Sequence, residues 1–221
     1  MKKSGGNRCV AVLGGSFDPV HCGHVALGGY FAKLLFPDEL RIIPAGNPWQ
    51  KPRLKGSPEQ RVEMIRLAFD SQPVPVTIDQ QEIQRQAATY TIDTLRAIRA
   101  ELGPDVSIAF LIGSDQLQQL NTWKEWQQLF DYAHICAASR PGFAINTSHV
   151  PAEVASEFNR RAATPEQIRE TPNGLMYFAT NLAVDISSTE VRAALLRDER
   201  PDSLIPSGVL DYIKIHHLYR S

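Results

Sequence analysis

Short apolar runs and segments of helical apolar spacing take turns along this chain, and that alternation restricts its fold more than any single motif does. Residues 10–13, 39–44, 74–78, 107–112 and 133–138 read as strands, and several of these runs are apolar throughout, as strands covered on both faces are. Residues 21–35, 57–69, 92–102 and 123–130 read as the helices between them. Ser57-Pro58-Glu59-Gln60 is a complete start signal: a Ser cap, Pro at the first helical position and Gln at the capping-box position. Strand and helix alternating four times or more predict a parallel sheet with helices on both sides. The expected fold is α/β, a Rossmann-like doubly wound parallel sheet.

The 221 residues suit one sizeable domain, so 1–221 reads as a single unit. Its pattern loosens over 139–174, where Pro141, Pro151, Pro165 and Pro172 interrupt any long element, and this stretch reads as a peripheral insertion or a lid. Residues 204–221 read as a closing C-terminal helix, capped by Ser207.

Lys plus Arg is 23 against 24 for Asp plus Glu, with no like-charge block, which argues against a nucleic-acid track. Met1-Lys2-Lys3 leads into an apolar run too short for a secretion signal or a membrane span, so a cytoplasmic protein without a membrane partner is expected. Cys9, Cys22 and Cys136 are odd in number and far apart, which fits neither a disulfide framework nor a zinc ligand set. No metal-binding residue is assigned. The oligomeric state stays open.

Chemistry concentrates in the turn after the first strand, Gly14-Gly15-Ser16-Phe17-Asp18-Pro19-Val20-His21-Cys22-Gly23-His24. Two glycines let backbone amides approach a ligand and permit positive φ. His21 and His24 project to one side of the helix start, where the helix N-terminus already favours anions. Such a turn can hold a triphosphate; the same spacing also fits exposed helix residues or part of a metal site. Asp18-Pro19 reads as architecture, with Asp18 bonding to local amides. Cys22 lacks a carboxylate or amide to orient a Cys–His pair and reads as an occupant of the turn.

A second anion pocket is offered by Ile186-Ser187-Ser188-Thr189-Glu190-Val191-Arg192 before an apolar helical run. Hydroxyls and free amides open the helix, and Arg192 one turn in can fork onto a phosphate; an ordinary Ser/Thr cap with a surface Arg fits equally. Gly113 and Asp115 end a strand, where open α/β sheets bind ligands and a carboxylate can accept from ribose hydroxyls. A Rossmann oxidoreductase is disfavoured because the first turn lacks the Gly-x-Gly-x-x-Gly order.

Both clusters together resemble the nucleotidyltransferase superfamily, whose signatures are Gly-Gly-small-Phe-Asp-Pro-x-His-x-Gly-His and Ile-Ser-Ser-Thr-x-x-Arg. The resemblance implies that Gly14, Gly15, Ser16, Phe17, His21, His24, Ile186, Ser187, Ser188, Thr189 and Arg192 bind ATP. It further implies that His21, His24 and Arg192 are catalytic, stabilising the departing pyrophosphate, and that Gly113 and Asp115 face adenosine. Magnesium is then expected only as the ion carried with ATP.

From Cys9 to Tyr219 the chain resembles the bacterial nicotinate-mononucleotide adenylyltransferase family. The tract from Ile42 to Lys51 resembles that family's acceptor loop, with Pro48-Trp49-Gln50 where the family has Pro-Pro-His, and Lys51 as a phosphate ligand. Amides around Tyr90 and Thr91 would receive the nicotinate carboxylate; a plain cap by Thr91 is compatible with this. Trp123 is the expected platform for the pyridine ring, followed by Lys124, while Trp126 is expected to pack in the core. Arg140 matches a family arginine near the nucleotide. The implied reaction is adenylyl transfer from ATP to nicotinate mononucleotide, giving nicotinate adenine dinucleotide and pyrophosphate in NAD biosynthesis. Alternatives are nicotinamide mononucleotide or pantetheine phosphate as acceptor, or a module that senses nucleotide without turnover.

Overall fold

The computed structural model describes residues 7–48, 54–85, 87–139, 150–180, 182, 186–197 and 199–220. Its strands are β1 (Cys9–Gly15), β2 (Glu39–Pro44), β3 (Val76–Ile78), β4 (Ser107–Gly113), β5 (His134–Ala138) and β6 (Met176–Ala179). Its helices are α1 (Cys22–Leu35), α2 (Pro58–Phe69), α3 (Gln81–Gln84), α4 (Thr91–Leu102), α5 (Ser114–Leu117), α6 (Ala152–Arg161), α7 (Pro165–Glu170), α8 (Ser188–Leu196) and α9 (Ser207–Ile215). All strands pair in parallel, in the order β3-β2-β1-β4-β5-β6. This is the expected doubly wound sheet in a single α/β domain.

Alternate residues of the central strands feed two separate cores. Val10, Val12, Ile108, Phe110 and Ile112 join Leu95 and Ile98 of α4 on one face. Ala11, Leu13, Ala109 and Leu111 join Phe31 of α1, Met64 of α2 and Ile213 of α9 on the other. Burying both faces of a strand explains its uniformly apolar sequence. The order of winding reverses between β1 and β4, so helices leave their carboxyl ends in opposite directions and a crevice opens there.

The start of α2 forms as its sequence dictates: Gln60 N–H donates to the Ser57 hydroxyl, and the Gln60 amide oxygen accepts from Ser57 N–H. A cap of this kind stabilises a helix by about 1 kcal/mol. Elsewhere the structure differs from expectation. The expected helix over 123–130 is replaced by 3-10 turns at Leu120–Thr122 and Trp126–Asp131, because Glu125 between them takes left-handed φ 52°. The edge strand β6, with only its end residues buried, was not expected at all.

Within 139–174, residues 150–174 carry α6 and α7, which bury Val154, Phe158 and Ile168. Pro165 opens α7 at its first position and does not interrupt a helix. None of these residues lines the cleft described below. At the C-terminus the cap of α9 is Pro206, whose carbonyl accepts from Val209 and Leu210; Ser207 is already helical.

Candidate active site

A cleft of about 600 Å³ lies at the carboxyl ends of β1 and β4, where the reversal of winding predicts a ligand. One wall begins with Gly14, Gly15 and Ser16 at the end of β1 and continues with His21 and His24 at the start of α1. His21 caps α1, and His24 Nδ1 accepts from the His21 backbone N–H at 3.2 Å. An imidazole nitrogen that accepts cannot carry the proton, so neutral His24 is protonated on Nε2. The two rings stack with centroids 3.7 Å apart, which places both imidazoles on one side of the helix start as expected.

The turn reaches this shape by a route the glycines did not suggest. Neither Gly14 nor Gly15 has positive φ; the left-handed residue is Phe17, at φ 47°. Its ring is fully buried, lies 4.8 Å from His24, and sits 3.2 Å from where a Cβ on Gly15 would be. Phe17 is therefore a support beneath His24, and its side chain is not among those lining the cleft.

The second signature arrives on the same wall. Ile186, Ser187, Ser188 and Thr189 line the cleft at the start of α8. Ser187 caps α8 by accepting from Glu190 N–H, and the Ser188 hydroxyl donates to the Pro19 carbonyl at 3.2 Å. Two helix N-termini thus converge on one space, and both favour an anion there.

Arg192 departs from expectation. Side chains on a helix run back toward its N-terminus, and here that direction brings the guanidinium to the Asp18 carbonyl, 2.5 Å away, and to the Thr189 hydroxyl at 3.3 Å. It does not line the cleft and holds the first signature from behind. Asp18 is likewise structural, but its carboxylate accepts from Lys55 and Gly56 and not from neighbouring amides. Burial pushes the Cys22 thiol up, and Cys22 is not on the cleft wall, which agrees with an occupant of the turn.

The opposite wall holds Gly113 and Asp115 after β4, then Tyr90, Thr91, Trp123 and Lys124. Asp115 is exposed and accepts from the Gln116 side chain at 2.9 Å. The cap of α4 is Tyr90, not Thr91; its side chain makes no cap hydrogen bond to the first-turn amides, of which that of Asp93 donates to the Tyr90 carbonyl at 3.1 Å. Lys124 lies 4.7 Å over the Tyr90 ring and 3.5 Å from the Asp93 carboxylate. Trp123 and Trp126 are both half-buried and pack against the same core, Trp123 in a T-shaped contact with Phe110; of the two, Trp123 lines the cleft. Lys51 and Arg140 fall outside the described residues.

Glu82 lines this wall and was not anticipated. Burial holds its carboxyl above the usual range, while the Thr94 hydroxyl donates to it at 2.7 Å. A helix as short as α3 leaves no periodic signal by which sequence could have placed it. Among the described residues no cluster of three or more His, Cys, Asp or Glu could hold a metal, and no helix is long and apolar enough to cross a membrane.

Comparison with known proteins adds to this geometry. Residues 12–194 match the family model described as cytidylyltransferase-like. A "Probable nicotinate-nucleotide adenylyltransferase" of Herminiimonas arsenicoxydans is 70% identical over 97% of this chain and 98% of its own length. One of the same name from Chromobacterium violaceum is 42% identical over 97% of this chain and 100% of its own. Among solved structures, the fold is similar to Plasmodium falciparum nicotinic acid mononucleotide adenylyltransferase complexed with NaAD. That match has a TM-score of 0.73 and 21% identity, covering 96% of this chain and 98% of the other.

Proposed function

The chain belongs to the cytidylyltransferase-like family, and from that premise we propose that its cleft transfers the adenylyl group of ATP to nicotinate mononucleotide, releasing pyrophosphate. The observation that carries this is the meeting of both signature segments on one wall, with the start of α4, whose cap residue makes no side-chain hydrogen bond to it, on the other. The relatives' names supply the acceptor.

The 5′-phosphate oxygen of the mononucleotide attacks the α-phosphorus of ATP in line. A new P–O bond forms as the bond to the β-phosphate oxygen breaks, and its electron pair leaves with pyrophosphate. No enzyme nucleophile takes part. The protein's task is to align two anions that repel each other and to neutralise the charge that develops on the leaving group. His24 offers Nε2–H on the triphosphate wall, stacked with His21, and the amides of Gly14 to Ser16 and of α8 face the same anion. Arg192 acts through Asp18, by fixing the turn that carries the imidazoles. Asp115 at the end of β4 is placed to accept from the adenosine ribose. The first-turn amides of α4 receive the nicotinate carboxylate beside Lys124, and Trp123 offers its indole to the pyridine ring. Magnesium enters with ATP, held by phosphate oxygens and water.

The test is pyrophosphate release from ATP with nicotinate mononucleotide, nicotinamide mononucleotide or pantetheine phosphate, each offered separately. Fastest release with the nicotinate acceptor is expected. Preference for another acceptor, or ATP binding with no release from any of them, overturns the proposal.

A further inference from the structure

Beneath the first signature lies a buried polar junction that the reaction as described does not use. The Asp18 carboxylate, 3% exposed, accepts three hydrogen bonds: from Lys55 N–H at 2.7 Å, Gly56 N–H at 2.8 Å and the Tyr219 hydroxyl at 2.7 Å. Arg61, 1% exposed on α2, donates in the reverse direction to the Ser16 carbonyl at 2.9 Å. The signature thus gives a carboxylate to the residues just before α2, and α2 returns a guanidinium to the signature. Burying such charged groups is costly unless they find partners; the Asp18 carboxylate finds three, while Arg61 bonds through one guanidinium nitrogen and its Nε stays buried without a partner.

Lys55 and Gly56 are the far end of the connection that leaves β2. At its near end, Ala45 N–H donates to the Gly15 carbonyl, Thr89 N–H donates to the Asn47 carbonyl, and Ala45 and Pro48 line the cleft on the side of Thr89 and Tyr90. One end is therefore tied to β1 and to the Tyr90 wall. The other, at Lys55 and Gly56, is tied through Asp18 to the turn that carries His21 and His24, with Arg61 on α2 bonding the same turn at Ser16. There is little room for adjustment: a Cβ on Gly56 would lie 3.0 Å from the Tyr219 hydroxyl and 3.2 Å from Asp18 Oδ1.

We infer that Asp18, inside the nucleotide signature, is a positioning residue for the acceptor: it fixes Lys55 and Gly56, the end of the connection just before α2, to the turn that holds the triphosphate, and Tyr219 holds Asp18 in place. Burial and the Asp18 carboxylate keep the Tyr219 phenol above its usual range, so its proton stays available for donation. A support for the histidines alone would change the handling of ATP. A clamp on the acceptor side changes the handling of the mononucleotide.

This inference rests on the proposed acceptor, and the test separates the two. Steady-state pyrophosphate release is measured for the wild-type chain, Asp18→Asn and Tyr219→Phe, varying ATP and nicotinate mononucleotide in turn, with melting curves alongside. Asn puts a donor where the Lys55 or Gly56 amide needs an acceptor. The expected result is a KM for nicotinate mononucleotide raised about tenfold in Asp18→Asn, the scale of one lost hydrogen bond to a charged group, with a smaller rise in Tyr219→Phe. The KM for ATP should stay within about twofold in both, since no ATP-facing group is removed. A rise in the ATP KM equal to that for the acceptor, or unchanged acceptor KM in both variants, overturns the inference. Tyr219→Phe keeps it testable if Asp18→Asn does not fold. A wild-type chain that releases no pyrophosphate with this acceptor instead overturns the functional proposal.

Discussion

The two walls of the cleft are built by different means. The triphosphate wall comes from two contiguous stretches, Gly14 to His24 and Ile186 to Thr189, in which backbone amides and imidazoles are set by the entry of α1 and α8. The acceptor wall is collected from separate places, with Tyr90 and Thr91 at the start of α4 and Trp123 and Lys124 on an irregular turn. In the proposed reaction, transition-state charge develops on the first wall, while the second only has to hold a ring and a carboxylate. Damage to the first should therefore appear in kcat and damage to the second in KM.

The largest effect is expected from His24→Ala. It removes the Nε2–H donor and the ring stacked on His21 while leaving the acceptor wall untouched. Turnover should fall by at least ~10²-fold, the loss typical of one preorganised donor. Single-turnover measurements would show the loss in the chemical step. Near-normal turnover would mean that the imidazole does not serve the leaving group.

Trp123→Ala tests the other wall. Stacking of a ring on an aromatic side chain is worth roughly 1–3 kcal/mol, so the KM for the mononucleotide should rise about tenfold or more. Turnover at saturation should barely change. A fall in kcat with an unchanged KM would place Trp123 in the core packing around Phe110 instead.

The same contrast explains what sequence could and could not reveal. Contiguous signals were legible: the strands β1, β2 and β4, buried but for the glycines at the cleft ends of β1 and β4, and the Ser57–Gln60 box that starts α2, lie where their residues put them. His21 and His24 share a side as their spacing suggests, although His21 is the extended cap of α1 and the two are held together by ring stacking and by the His21 N–H on His24 Nδ1. What depends on distant partners was not legible. The Asp18 carboxylate bonds to Lys55, Gly56 and Tyr219, and no local rule points from one to the others. Arg192 looks like a phosphate ligand in isolation, and only the fold shows the Asp18 carbonyl in its path. The left-handed residue of the first turn is Phe17 and not a glycine, because burial of its ring and packing against His24 override a backbone preference of about 1 kcal/mol. Glu125, exposed and paired with Arg96, takes the left-handed conformation that breaks the expected helix.

A pH profile would confuse the two walls unless the fold's own titration is separated first. His134 on β5 is fully buried, with Nδ1 accepting from Leu175 N–H and Nε2 against the Thr171 carbonyl. Burial pulls its pKa down to about 4. The unfolded chain, with an ordinary histidine near 6.5, binds the proton more readily, so stability is full above that value and is lost as pH falls toward 4. About 1 kcal/mol should disappear between pH 6.5 and 5.5 from this residue alone. Urea midpoints across that range, compared with those of His134→Asn, would show a flatter slope in the variant. Equal slopes would assign acid lability elsewhere and leave the cleft imidazoles as the source of any acid limb in activity.

The smallest effect sharpens the comparison most, because it asks whether the acceptor wall also relies on backbone. Lys124 is held over the Tyr90 ring and beside Asp93, close to the first turn of α4, and it is substantially exposed. An ammonium in that setting is worth at most about 1 kcal/mol to a neighbouring carboxylate. Lys124→Met should therefore lower the ratio of kcat/KM for nicotinate over nicotinamide mononucleotide by only about two- to fivefold. A ratio that does not change would assign the discrimination wholly to the α4 amides, and both walls would then select their anions by the same device, a helix N-terminus. Collapse of the ratio toward one would instead make the side chain dominant. In that case the two walls differ in kind, since an exposed ammonium is screened by salt and a fixed row of amides is not.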